Sequence, residues 1–462
     1  MSEKKWIHFI GIGGTGMSGI AKVLVELGYR ISGSDLQVSD TTRRLEASGA
    51  TIYLGHEGDN VDSQVDSVVV SSAIPKNNAE IMKAQALGIP VMQRAEMLGM
   101  LMKERKGIAI AGAHGKTTTT SMVSLMFEKN GLDPTVIVGG ELNDIGGNAK
   151  LGSGEYLVAE ADESDGSFLK LQPDITVVTN IEDDHLDYYG TRENIENAFS
   201  EFIAITPEHG FSVLCLDDPV IRKLLPRLKE GRKVFTYGFT EEADFYAKNI
   251  DLNGSETQTE VYHADGYLGT LHLSVPGRHN ILNALAAVVI GMNCGLEFAG
   301  IAASLQLFSG VQRRFQKIGA IDGISIFDDY AHHPTEIKTT LSAARTIRPG
   351  RIVAVFQPHR YSRTQLLFKE FGSAFTDADI LFLNEIYPAG EKPLPGVDAK
   401  LILKEIERQT GQQVIYEAEK ASLVAKLLET VRPGDLVLTL GAGNIWTVGT
   451  ELYKALKAKK LH

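Results

Sequence analysis

The stretch Lys106-Gly-Ile-Ala-Ile-Ala-Gly-Ala-His-Gly-Lys-Thr-Thr-Thr-Thr120 leaves its part of the chain few ways to fold. Residues 108–111 form a short apolar run, the pattern of a buried strand. Gly112-Ala113-His114-Gly115 must then turn sharply, and Lys116-Thr117-Thr118 open a helix carrying Met122, Val123, Leu125, Met126 and Phe127. Strand, glycine turn, Lys-Thr and helix together describe a phosphate cradle. Glycines let backbone N–H groups close on the anion, the helix N-terminus adds partial positive charge, and the lysine reaches the terminal phosphates. The Thr117 hydroxyl is then placed to ligate magnesium. The match to the full phosphate-loop pattern is incomplete, because Ile110 stands where its first glycine falls. A plain tight turn between strand and helix is the competing account.

A second glycine-rich turn lies near the N-terminus. Trp6–Ile10 reads as a strand, followed by Gly11-Ile-Gly13-Gly14-Thr15-Gly16-Met17 and a helix through Ile20, Val23, Leu24 and Leu27. The next strand, Tyr29–Asp35, ends in an acid. This is the form of a Rossmann fingerprint, with glycines approaching a diphosphate and Asp35 holding a ribose hydroxyl. Many nucleotide-binding folds share it, and a βαβ unit that binds nothing remains the alternative. Val65–Ser72 is a further strand, and Ser71-Ser72-Ala73-Ile74-Pro75 follows at its C-terminal end, where ligands sit in such sheets. The charged run Lys103–Lys106 reads equally as a linker or as a solvated helix end.

Beyond the phosphate loop, the strand-like Tyr156–Ala159 runs into Glu160-Ala-Asp-Glu-Ser-Asp-Gly166, and Ile175–Ile181 runs into Glu182-Asp-Asp-His-Leu-Asp187. Strand ends bearing clustered carboxylates suit magnesium, whose hard charge prefers oxygen donors. His185 is either a metal ligand or a loop cap; its place after the phosphate loop and Glu160 favours the ligand. Pro276-Gly-Arg-His-Asn-Ile-Leu-Asn283 opens a long apolar helix. His279, Asn280 and Asn283 are placed there to bond a base edge, or else to cap the helix.

Gly310–Phe315 looks like a domain boundary, after which strands and helices alternate to Leu440, the mark of a parallel doubly wound sheet. Its loops are polar: Asp328-Asp-Tyr-Ala-His-His-Pro334, Gln357-Pro-His-Arg-Tyr-Ser-Arg363 and Gly441–Asn444. Arg360 and Arg363 suit a carboxylate clamp, since guanidinium forks bind carboxylates bidentately; a surface ion-pair role is the alternative. The net charge of −12 argues against general nucleic-acid binding. Two unpaired cysteines suit a reducing cytoplasm. The early glycine motif does not read as a signal peptide, and the longest apolar run, around 282–292, is too short to span a bilayer.

These motifs, in this order along the whole chain, resemble the Mur ligases of bacterial cell-wall synthesis. The residues that carry the resemblance are His8–Gly19, Gly112–Thr119, Glu160–Phe168, Thr179–Asp187, His279-Asn280 with Asn283, Arg313–Phe315, Asp328–Glu336 and Phe356–Thr364. Ala113 departs from the threonine expected in the phosphate loop. No lysine lies between Lys170 and Lys223, so the carbamoylated lysine that several members use is not expected here.

The resemblance implies an α/β chain of three domains: Rossmann-like over 1–106, P-loop ATPase-like over 107–309, and doubly wound Rossmann-like over 310–462. It implies an ATP- and magnesium-dependent ligase, cytoplasmic, monomeric or homodimeric, joining L-alanine to the lactyl carboxylate of UDP-N-acetylmuramate through an acyl phosphate. ATP would lie on residues 112–118 with His279, Asn280, Asn283, Arg314 and Asp328. The UDP-sugar would lie on Gly11, Gly13–Met17, Asp35 and Ser71–Ile74. Magnesium would be held by Thr117, Glu160 and His185, and a second ion near Glu160 and His185 would hold the muramoyl carboxylate. Lys116, Glu160, His185 and Arg314 would carry the chemistry, Arg314 reaching the γ-phosphate on domain closure. Alanine would sit on Tyr330, His333, Arg360 and Arg363. A recycling ligase adding a whole tripeptide to the same sugar, or a non-catalytic UDP-sugar sensor, are the alternatives; the stretch His359–Arg363 favours single alanine. An NAD-dependent oxidoreductase would leave the phosphate loop and the acids idle.

Overall fold

In the computed structural model, residues 4–142, 147–264 and 266–460 are described. Two compact units divide the chain. One comprises Met1–Asn249, Thr259–Leu271 and Leu282–Phe308; the other comprises Ile250–Gln258, His272–Ile281 and Ser309–His462. Among the described residues there are three sheets, of five, ten and six strands.

The first sheet is wholly parallel, in the order Thr51–Leu54, Arg30–Asp35, Trp6–Ile10, Ser67–Val70, Val91–Gln93. Every residue of Trp6–Ile10 is buried, as expected of a central parallel strand covered on both faces. The order reverses between Trp6–Ile10 and Ser67–Val70, so the loops that follow these two strands meet at the switch point.

The second sheet has a parallel body in the order Val234–Gly238, Phe211–Cys215, Ile175–Val178, Lys106–Ala111, Tyr156–Glu160, Thr135–Leu142, with Gly147–Lys150 antiparallel at its edge. Lys106–Ala111 therefore lies between the two strands whose ends carry the acids. The charged run before it is a helix end. Helix Arg94–Lys103 reaches Lys103 and the strand begins at Lys106, leaving Glu104 and Arg105 as the whole connection.

In the second unit the strands run Gln316–Ile321, Ile324–Asp329, Asp435–Leu440, Arg351–Phe356, Ile380–Leu383, Val414–Tyr416, all parallel except the first. Alternation along Arg351–Phe356 sends Ile352, Ala354 and Phe356 into one core and Val353 and Val355 into the other. Both faces of the sheet are thus covered, which is what a doubly wound fold requires. The loops after Asp329, Phe356 and Leu440 emerge from three adjacent strands at one edge. Thr51–Leu54, Val91–Gln93, Gly147–Lys150 and Gln316–Ile321 are strands that carry little local signal, because each is short or interrupted by polar residues or glycine.

Candidate active site

In the first unit, the N-terminal glycine turn is tied down by the neighbouring strand. Gly11 (φ +79) and Ile12 donate their amides to Ser34 O, at 2.9 and 3.0 Å. Gly13 N donates to Asp35 Oδ2 at 2.9 Å. Asp35 thus also braces the loop from the neighbouring strand, with Oδ1 accepting from Gln37 N at 3.3 Å. Helix Thr15–Glu26 starts at Gly14 with no side-chain cap, so its first amides, at Thr15, Gly16 and Met17, have no intrahelical acceptor, an arrangement that suits an anion. Met17 offers only its main chain there, because its side chain is buried in the core. Ser71 and Ile74 lie against Gly11, and Ser72 and Ala73 are exposed beside them, so the two predicted loops share one edge.

The phosphate loop is clamped by the next strand end. His114 N donates to Asn180 Oδ1 (2.8 Å), while Thr179 Oγ1 (2.6 Å) and Asn180 Nδ2 (2.9 Å) donate to His114 O. Gly112 sits at φ +137, and a Cβ there would lie 2.1 Å from Thr179 Oγ1, so only glycine fits. Gly115, at φ +84, opens helix Lys116–Lys129 without a side-chain cap. Asn283 Oδ1 accepts from Thr119 Oγ1 at 3.2 Å and lies against Gly115. Asn283 is therefore set under the loop as a buried support, and Asn280, also buried, donates back to Pro276 O at 2.7 Å.

Lys116 Nζ is folded into its own loop. It donates to Gly112 O (2.5 Å), Ala113 O (3.3 Å) and Glu163 Oε1 (2.7 Å). Burial alone lowers the ammonium's pKa, but the charges of Glu163, Asp162 and Glu160 outweigh it and hold the lysine above its ordinary value. Glu163, three residues after Glu160 and past the same strand, has no role assigned by its motif; the fold gives it one. Its side chain is buried, and Oε2 has no hydrogen-bond partner among the described residues. Glu160 ends its strand in register with Ile110, and its carboxylate lies where a Cβ on Gly139 would clash. His185, at φ +62, brings Nε2 to 3.9 Å from Glu163 Oε1 and 3.8 Å from Asp184 Oδ2. A carboxylate oxygen buried without a hydrogen-bond partner among the described residues, with the Asp162 and Glu160 carboxylates also near Lys116, fits a divalent cation of magnesium's preference. Asp162 stays below the usual carboxylate range: burial pushes it up, and bonding to Ser164 with the charges of Arg94 and Lys116 pulls it further down.

In the second unit, Asp328 is buried and internally engaged. It accepts from Arg313 Nε (3.0 Å) and Thr439 Oγ1 (2.6 Å). Asp329 accepts from the amides of Phe315 and Ala331, both at 2.7 Å, and burial pushes its carboxyl up to about 6. These bonds hold the left-handed turn Arg313–Phe315. Arg314 faces Glu336 at 3.3 Å and lies over the Tyr330 ring at 5.4 Å. Burial, then the Arg314 charge, lowers His279 to about 4.

The two adjacent histidines separate. His333 is buried and caps helix Pro334–Thr346, its Nδ1 accepting from Thr335 N at 3.4 Å. His332 instead packs edge-on against His359, with centroids 5.7 Å apart, and against Tyr330 at 5.4 Å. His332 is therefore the histidine that packs against the arginine loop. His359 stacks on Tyr387 and meets Arg363 Nη1 with Nδ1 at 3.1 Å. Burial, chiefly, lowers His359 to about 3, so the imidazole is neutral and accepts from the guanidinium. Arg363 is half-buried in the first turn of helix Tyr361–Phe371, whereas Arg360, at the N-cap with φ +67, is exposed.

A phosphate loop flanked by carboxylate-bearing strand ends, together with a second glycine turn and an arginine-bearing sheet edge, defines a nucleotide-dependent α/β enzyme. Residues 6–106 match the Mur ligase family, catalytic domain; 110–291 match the Mur ligase middle domain; and 313–443 match the Mur ligase, glutamate ligase domain. The chain belongs to the Mur ligase family. It is 56% identical over 458 residues to the UDP-N-acetylmuramate–L-alanine ligase of Pelotomaculum thermopropionicum, covering 99% of each. To that of Geotalea uraniireducens it is 51% identical, covering 98% of each. Among solved structures it is similar to UDP-N-acetylmuramate-alanine ligase MurC from Thermotoga maritima, with a TM-score of 0.82, 28% identity and coverage of 98% of this chain and 99% of that one. A murein peptide ligase from Psychrobacter arcticus matches at a TM-score of 0.70 and 25% identity, covering 98% of both. No helix among the described residues is long and apolar enough to cross a membrane.

Proposed function

We propose that this chain is an ATP-dependent ligase that joins L-alanine to the lactyl carboxylate of UDP-N-acetylmuramate. The observation that carries the proposal is the phosphate loop with Lys116 set against the Glu160–Glu163 acids; the names of the full-length relatives support the substrates. Residues 1–106 take the UDP-sugar on Gly11–Met17 and Ser71–Ile74, 107–309 take ATP, and 310–462 take the amino acid. The reaction proceeds in the cytoplasm, where ATP is available.

In the first step a lactyl carboxylate oxygen attacks the γ-phosphorus of ATP. The bond to the β,γ-bridging oxygen breaks, ADP leaves and an acyl phosphate forms. The amine of L-alanine then attacks the acyl carbon, phosphate departs with the C–O bond, and the amine loses its proton. Two anions must approach each other at the outset, so the protein's task is charge neutralisation and alignment. Lys116 leaves its loop carbonyls for the terminal phosphates. Thr117, Glu160, Glu163 and His185 would hold magnesium, which supplies positive charge to the phosphate oxygens. Arg363, oriented by His359, receives the alanine carboxylate, with Tyr330 and His332 bounding the pocket.

Phosphate release from ATP, assayed with each substrate omitted in turn, tests the proposal. Release that requires both UDP-N-acetylmuramate and L-alanine, with the mass of the amide product, is expected. Release supported by a tripeptide but not by alanine identifies a recycling ligase instead. Binding of the sugar without any release identifies a sensor.

A further inference from the structure

Arg94 has no part in the chemistry described so far, yet it stands between the two anion sites of the first unit. It is the first residue of helix Arg94–Lys103, whose start is fixed by a capping box between Gln93 and Glu96. Its guanidinium lies directly against Gly16, where an added Cβ would come within 2.8 Å of Nη1. Gly16 belongs to the uncapped start of helix Thr15–Glu26, so Arg94 borders the predicted diphosphate site. On its other side Nη2 donates to Asp162 Oδ2 at 3.2 Å. Asp162 in turn accepts from Ser164 N at 3.1 Å and adjoins the acids around Lys116. The two residues are 68 positions apart in sequence, and their side chains are 20% and 45% exposed. With nearly half of the Asp162 side chain exposed, solvent screens the pair and its contribution to stability is modest.

We propose that Arg94 is a positioning residue that couples the UDP-sugar site to the nucleotide site, one guanidinium edge meeting the sugar's diphosphate while the other holds Asp162. The inference rests on the functional reading above. A planar fork can serve two acceptors at once, whereas an ammonium on a flexible stem cannot fix both. A diphosphate that orders Arg94 also orders Asp162 beside the phosphate loop. The second ligand then meets a side chain already in place, and its binding is favoured.

The test is titration calorimetry on the full-length chain with UDP-N-acetylmuramate, and with a non-hydrolysable ATP analogue plus magnesium, each alone and in the presence of the other. In the parent chain each ligand should tighten the other by the same factor, about fivefold or more, because linkage is reciprocal. In Arg94→Lys the sugar should retain most of its affinity while the factor falls to about one. Asp162→Asn should behave likewise, and thermal melting of both variants should match the parent. Arg94→Ala should weaken the sugar and lose the coupling together. Coupling that persists in Arg94→Lys and Asp162→Asn overturns the inference, as does a parent in which both ligands bind independently. A parent that fails to bind the UDP-sugar at all overturns the functional reading instead.

Discussion

Replacing Lys116 by methionine separates the lysine's structural role from its chemical one. In the folded chain Lys116 Nζ lies 2.7 Å from Glu163 Oε1, the two side chains being 20% and 5% exposed. Lys116→Met leaves Glu163 as a buried carboxylate whose cation is gone. Breaking a fully buried pair costs about 3–5 kcal/mol. With a fifth of the lysine side chain in contact with water, solvent screening brings the cost just below that range, to about 2–3 kcal/mol. Glu163→Gln strands the lysine more mildly, since Gly112 O and Ala113 O still accept from it; about 1 kcal/mol is expected. The double variant carries neither charge and should recover most of the loss, so the cycle should show a coupling of about 2 kcal/mol. Calorimetry of the transition that contains the second sheet measures the stability. Turnover should behave otherwise. Lys116→Met should lose at least about a hundredfold in kcat, roughly 3 kcal/mol, and Glu163→Gln in the same chain should restore none of it. Additive stability effects would show that the pair is not formed as described. Normal turnover by the double variant would refute the phosphate-loop reading itself.

Gly112→Ala should drive a methyl into Thr179 Oγ1, release the Thr179–His114 clamp and weaken nucleotide binding at least about tenfold, about 1.4 kcal/mol; fluorescence titration with a labelled nucleotide checks it, and unchanged affinity would remove Gly112 from the cradle. His279 is neutral in the fold, its pKa lowered to about 4 from an ordinary 6.5, so the unfolded chain gains a proton first as the pH falls. Its contribution is intact above pH 6.5 and lost on descending to pH 4. That loss should amount to about 2 kcal/mol for a partly exposed ring, and a His279→Gln variant should unfold with a flatter acid limb. Arg363→Lys should raise KM for L-alanine about tenfold or more while leaving those for ATP and UDP-N-acetylmuramate nearly unchanged, because lysine cannot present the fork. His359→Phe, which keeps the stack on Tyr387 but removes the acceptor for Arg363, should raise the same constant by about threefold to tenfold; an alanine KM unmoved in both variants would place the amino acid elsewhere.

Much of the frame was open to local reading. An all-apolar run such as Ile108–Ala111 or Trp6–Ile10 admits hardly anything but a buried strand. A glycine cluster straight after it admits hardly anything but a turn into a helix N-terminus. Those choices depend on residues within a few positions of one another, where backbone sterics and burial act. The same logic placed Glu160 and the 357–363 loop at strand ends. It does not reach contacts made by distant residues: the bonds from Gly13 N to Asp35 and from Arg313 to Asp328 appear only in the fold. His332 and His333 are indistinguishable by pattern, and only the helix cap at Pro334 separates them.

What the sequence by itself determined is therefore the α/β class, the two glycine cradles and the chemical character of the loops. The tertiary structure alone decided that Glu163 holds Lys116, that Thr179 and Asn180 clamp His114, and that Arg94 reaches Asp162. Each of these pairings depends on strand order and crossover, here on Lys106–Ala111 lying between Tyr156–Glu160 and Ile175–Val178. Strand order is set by how whole faces are buried across the sheet, and no short stretch of chain carries that information.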